Sequence, residues 1–155
     1  MIVRFLAIVL TGLAVIALAA HLFVLPAKIH MSVDDYFTVQ RIYLGWWVVG
    51  LFLPAAFLAN LALAVVARGD KPALWLAVAA MGLIAINLTI FMIWTQPANA
   101  ATQNWAIRPE NWQALRQQWE YSHAARFVLH WISFSALLIS LIRMCSLPSV
   151  HHGSV

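Results

Sequence analysis

The chain has 155 residues, 64% of them hydrophobic and 9% charged, with a net charge of +4 and a mean hydropathy of +0.86. A soluble domain keeps about 25% of its residues charged, so a soluble globular fold is excluded. The surplus positive charge sits on arginines and lysines that flank apolar runs, which is a membrane pattern rather than a nucleic-acid one. The single cysteine, Cys145, excludes an intrachain disulfide and any Cys-x-x-Cys redox pair.

Four windows lack charge altogether: between Arg4 and Lys28, Arg41 and Arg68, Lys71 and Arg108, and Arg126 and Arg143. A hydrocarbon core of ~30 Å needs about 20 helical residues. The windows therefore predict an all-α, integral membrane four-helix bundle, one domain over 1–155, with spans near 2–25, 44–66, 73–94 and 123–142. No strand-like alternation supports a barrel. The first span carries a signal-like Ala17-Leu18-Ala19-Ala20, but its apolar run exceeds the usual 7–15-residue signal core, so it reads as a retained helix.

The first linker, Pro26–Tyr43, contains Ser32-Val33-Asp34-Asp35, a helix start with acids that complement the macrodipole. The second, Ala67–Pro72, is a tight turn, with Pro72 in the first turn of the next helix. The third, Thr95–Tyr121, is the longest. Pro109 suits the first residue of a helix, and nothing breaks a helix between it and Pro148. The last helix is therefore expected to begin at Pro109 and project beyond the bilayer as an amphipathic segment. Residues 143–155 read as a short polar tail, in which His151 and His152 have no assigned role.

With four crossings, both long linkers share one membrane face, and the short linker shares the other with both termini. Basic density at Arg4, Arg68, Lys71 and Arg143 places the termini in the cytoplasm, in keeping with a bacterial inner membrane protein. Trp46, Trp47, Trp94, Trp105, Trp112 and Trp119 all fall at the long-linker face. Interfacial anchoring accounts for many tryptophans in such proteins, and it is the reading for Trp75, Trp105 and Trp131.

Ionisable groups at membrane depth are costly and mark candidate sites. His21 lies near the exit of the first span. Glu120, His123, Arg126 and His130 lie at the start of the fourth, on or near one helix face. Both elements meet the same membrane face, so His21 and His123 are expected to be neighbours. Structural roles compete: Glu120 and Arg126 as paired helix anchors, His130 as a neutral interhelical hydrogen bond, and Asn60, Asn87 and Thr89 as further interhelical bonds. Three functional options stay open. One is a mononuclear metal on His21, Glu120 and His123, although the Glu-x-x-His motif that di-iron bundles use twice occurs once here. Another is acid–base chemistry by a histidine tuned by Glu120 and Arg126. The third is a polar clamp for a quinone or lipid head group. No metal or other cofactor is assigned.

The segment Trp94-Thr-Gln-Pro-Ala-Asn99-Ala-Ala-Thr-Gln-Asn-Trp105, then Trp112-x3-Arg116-x2-Trp119-Glu120-x2-His123-x2-Arg126, resembles the anthrone-oxygenase-like membrane proteins. The segments Ala20-His21-x3-Leu25-Pro26-x-Lys28 and Asp35-Tyr36-x2-Val39-Gln40-x-Ile42-Tyr43-x-Gly45-Trp46 resemble the bacterial branch, largely described as a domain of unknown function. The resemblance covers nearly the whole chain. It implies four helices and, from the fungal members, oxidation of an anthrone to an anthraquinone without a classical cofactor. It maps a Pro/Asn segment and a Trp, His, Arg set onto Pro97, Asn99, Trp119, His123 and Arg126. Fold likeness alone does not carry substrate. The resulting expectation is a membrane protein that holds a flat phenolic or quinol-like molecule. His123, Arg126 and Glu120 are its catalytic residues, and His21, Trp119, Asn99, Trp112 and Trp46 line its pocket. The competing expectation is a non-enzymatic membrane protein that binds lipid or quinone, or assembles with partner helices.

Overall fold

The computed structural model describes residues 1–146, so most of the expected polar tail, with His151 and His152, lies outside the described residues. The helices are α1 (Ile2–Lys28), α2 (Val33–Gln40), α3 (Trp47–Gly50), α4 (Phe52–Val66), α5 (Lys71–Ile90), α6 (Gln96–Ala101) and α7 (Trp112–Ser146), with no strand among the described residues. Four stretches are long and apolar enough to cross a membrane: Ile2–Lys28, Trp47–Gly69, Lys71–Ala101 and Trp112–Met144. The protein is an all-α membrane bundle. Its helices close a ring in which α1 packs on α4 and α7, and α5 packs on the same two.

Element boundaries shift from expectation for local reasons. Helix α1 runs through Pro26 to Lys28, although Pro26 has no N–H to offer Leu22. The bond from Ile29 N–H to Leu25 O, 3.0 Å, shows the helix continuing past it. Helix α7 begins at Trp112 rather than Pro109; Pro109 instead supplies a carbonyl to the Trp112 N–H at 3.2 Å, within the turn that starts the helix. The 35 residues of α7 reach roughly 52 Å at 1.5 Å per residue, longer than a ~30 Å core. Residues 143–146 belong to this helix, not to a tail. Asp70 caps α5 by accepting from Ala73 N–H at 3.3 Å, and Pro72 occupies the first turn.

The two ends of the bundle are packed differently. Toward the short linker, Ala7, Leu63, Ala64, Ala77, Ala80, Leu137 and Leu141 form an aliphatic core in which small residues let the helices approach closely. Buried hydroxyls tie α7 to α5: Ser133 and Ser140 donate to the carbonyls of Ala80 and Ala73 at 2.8 and 2.7 Å. Toward the long linkers, Tyr36, Ala98, Trp105, Trp112, Leu115 and Trp119 form an aromatic core. At mid-depth, Asn60 donates to Thr11 Oγ1 at 3.0 Å, and His130 Nε2 bonds Thr11 O at 3.1 Å, as interhelical bonds. Thr89 does not join them: its hydroxyl folds back to Ala85 O of its own helix.

The alanine stripe predicts an asymmetry. Ala77 is fully buried, whereas Ala79 is exposed on the same helix. Ala77→Leu should destabilise the fold by about 1–3 kcal/mol through overpacking. Ala79→Leu should leave the thermal midpoint in detergent unchanged, and equal midpoints for the two variants would contradict the packing described.

Candidate functional site

The site lies where α1 leaves the bundle and α7 enters it. Successive steps of three residues rotate a helix position by about −60°, so Glu120, His123 and Arg126 fan across α7 toward different partners. Glu120 meets α1 and α2. His123 meets His21. Arg126 meets α5.

Lys28 and Glu120 form a buried ion pair, Nζ to Oε1 2.7 Å, with both side chains almost wholly removed from solvent. The ammonium also lies over the rings of Trp119, Tyr43 and Tyr36, at 4.5, 4.7 and 5.3 Å from their centroids. Helix α2 supplies the rest of the network. Ser32 caps it by accepting from the Asp35 N–H at 3.3 Å. Tyr36 and Gln40, one turn apart, then face inward. The Tyr36 hydroxyl donates to Glu120 Oε1 at 3.0 Å and accepts from Gln40 Nε2. Burial, and next the Glu120 charge, push the Tyr43 phenol up to about 12 and the Tyr36 phenol higher still. Both phenols therefore stay protonated around neutral pH, as the Tyr36 donation requires.

The segment after α5 is shaped by Pro97. Its ring would collide with the carbonyl four residues back, and it has no N–H. The chain instead widens into a π-helical turn, Phe91–Thr95, with Gln96 N–H bonding to Phe91 O, before α6 resumes. The expected span end at Trp94 is thus overrun to Ala101. Asn99 on α6 accepts from Trp119 Nε1 at 2.8 Å, fixing the indole. After α6, Gln103, Asn104 and Trp105 are all left-handed, with φ of 48°, 56° and 65°. Thr102 holds this turn, donating to Ala98 O at 2.8 Å and accepting from Trp105 N–H at 3.1 Å. The turn folds Trp105 into the aromatic core, so it is a buried wall and not the interfacial anchor expected, unlike exposed Trp75 and Trp131.

His21 is surrounded by rings: His123 at 4.1 Å, Tyr43 at 4.5 Å, Trp119 at 5.0 Å and Trp46 at 5.8 Å between centroids. Trp119 and His123 rings lie 4.0 Å apart. His123 Nδ1 is 2.8 Å from the Trp119 carbonyl. A carbonyl can only accept, so Nδ1 carries the proton and Nε2 is the lone-pair nitrogen of the neutral ring. Asn87 grips Arg126 at both ends: its Nδ2 donates to Arg126 O at 2.7 Å, and Arg126 Nε donates to Asn87 Oδ1 at 2.9 Å. The guanidinium lies over Phe91, 4.9 Å from the ring centroid.

These groups border a cavity of about 570 Å³, in the range of small-molecule sites. Of the residues expected from the sequence, His21, Trp46, Asn99, Trp119, His123 and Arg126 line it. Two do not. Glu120 stands behind, committed to Lys28 and Tyr36. Trp112 packs against Tyr36, Phe37 and the Arg116 guanidinium. The three-ligand metal set of His21, Glu120 and His123 is not assembled: among the described residues no three His, Cys, Asp or Glu are grouped to hold an ion. Gln40, Tyr43, Thr95 and Asn104 also line the cavity and were missed from the sequence. The i, i+4 pair Tyr36/Gln40 behind the Ser32 cap was the available signal for the first of them.

Comparison with protein-family models, with curated proteins and with solved structures found no match to this chain.

The His123 contact fixes a tautomer that can be read directly. Nitrogen-15 NMR of histidine-labelled protein, assigned with His123→Gln, should show His123 protonated on Nδ1 and bare on Nε2. The opposite tautomer would contradict the geometry.

Proposed function

We propose that this integral membrane protein is of the anthrone-oxygenase-like type. Its cavity holds a flat phenolic or quinol-like molecule and oxidises it with dioxygen. The single observation that carries the reading is the tautomer-fixed His123 at a cavity wall shared with Arg126. A base needs a lone pair facing the substrate, and an oxyanion needs a fixed donor nearby.

For an anthrone the reaction balances without a resident redox group. His123 Nε2 takes a proton from the carbon opposite the carbonyl. Arg126 stabilises the charge that moves to the carbonyl oxygen. The electron-rich carbon adds dioxygen and regains a proton, and the hydroperoxide loses water to leave a quinone carbonyl. Four electrons pass from the carbon to dioxygen, and one water is released. His21, Trp46 and Trp119 hold the flat body. Trp119 is itself set by Asn99. Glu120 acts through position rather than contact, because it stands outside the cavity wall. The basic residues Arg4, Arg68, Lys71 and Arg143 support an orientation with both termini in the cytoplasm of a bacterial inner membrane.

Oxygen consumption with anthrone in proteoliposomes tests the reading. Wild type should exceed protein-free vesicles. His123→Gln should lower the catalysed rate by about 10²–10⁴-fold, with Arg126→Met also impaired. No uptake in wild type, or unchanged uptake in both variants, would leave the non-enzymatic binding protein as the better account.

A further inference from the structure

The charges around the cavity do not balance. Three side chains of charged type are buried at this end: Lys28, Glu120 and Arg126. Lys28 and Glu120 cancel each other at 2.7 Å. Glu120 is the only buried carboxylate among the described residues, and no Asp or Glu lines the cavity. Arg126 has no carboxylate partner among the described residues. Asn87 occupies its Nε, and Phe91 covers one face. The terminal nitrogens have no protein acceptor among the described residues. A buried cation left uncompensated is expensive, and a guanidinium fork is shaped for a carboxylate or another oxyanion.

The cavity also reaches the apolar outer surface of the bundle. Leu44, Trp47 and Met92 line it and are each more than 60% exposed on the outside of the bundle. The backbone between the first two carries Gly45 at φ 87°. Met92 belongs to the π-turn, which also contributes Phe91 and Thr95 to the lining. A molecule dissolved in the bilayer would meet this side of the cavity directly.

We infer that the cavity takes its ligand as a lipophilic monoanion: a flat apolar body with one ionised oxygen group, a carboxylate or an acidic phenolate, paired with Arg126. The inference rests on the reading of the cavity as a ligand site and is independent of oxidation. It makes acids that partition into membrane the tightest-bound class of ligand. The incoming charge completes the ledger that Lys28 and Glu120 leave open.

Two probes of one shape decide it. Anthracene-2-carboxylate is ionised at neutral pH, and anthracene-2-carboxamide is its uncharged counterpart. Binding is followed by energy transfer from tryptophan in phosphatidylcholine nanodiscs, with empty nanodiscs correcting for partition. The acid should bind at least about tenfold more tightly than the amide, as expected for a charge-assisted bidentate pair. Arg126→Met should abolish the preference, and Arg126→Lys should keep part of it. Should Arg126→Met fail to fold, the wild-type ratio and the lysine variant decide. Equal binding of the two probes, or a preference that survives in Arg126→Met, overturns the inference while the cavity remains a ligand site. Binding of neither probe overturns both readings.

Discussion

The ammonium of Lys28 sits at the last turn of α1 against the carboxylate of Glu120, with three aromatic rings around it. Removing both charges from water is costly, and their attraction offsets that cost only when geometry and extra hydrogen bonds are good. Here the offsets are visible. The Tyr36 hydroxyl donates to the same carboxylate oxygen, and the ring faces of Tyr36, Tyr43 and Trp119 attract the cation. The pair joins α1 and, through Tyr36, its sequence neighbour α2 to the distant α7. The continuation of α1 past Pro26 places Lys28 against Glu120. The pair also braces Trp119, which forms the cavity wall, orients His123 through its carbonyl and is tied to Asn99.

The cavity exists because the backbone around it is irregular. Left-handed Gly45, the π-turn at Phe91–Thr95 and the left-handed run Gln103–Trp105 all border it or carry residues that do. Non-helical backbone near membrane depth is tolerated where protein or a cavity receives its polar groups. Left-handed non-glycine residues cost on the order of 1–2 kcal/mol each, and such strain concentrates at sites that over-determine it. Thr102 supplies that constraint with one hydroxyl. The opposite end of the bundle is packed around small and aliphatic residues, and among the described residues it has no left-handed residue or π-turn.

Much of the fold was legible in the sequence because charge avoidance in a bilayer is a strong signal. The four windows located the four spans, and the shared membrane face of α1 and α7 brought His21 to His123. By sequence Lys28 falls in the first linker, and most lysines beside a span reach outward to water. Only the fold shows that Glu120 lies across from it. Tyr36 and Gln40 were hidden for the same reason, being polar residues in a linker that becomes a buried helix. Pro97 was visible, but not whether it would end the helix or widen it. By sequence Trp105 reads as a belt residue, because nothing local announces three successive left-handed residues. Asn87 was legible as a polar group in a span, but not as the partner that grips Arg126.

The Lys28–Glu120 pair is a coupled unit that supports the site. A double-mutant cycle on unfolding in a defined detergent tests it, using Lys28→Met, Glu120→Gln and the pair together. Each single variant leaves a buried charge alone and should cost about 3–5 kcal/mol. The double variant should cost far less than their sum, leaving a large coupling energy. Small single costs that simply add would mean that the two groups do not depend on each other, and the account of how this end of the protein is built would be wrong.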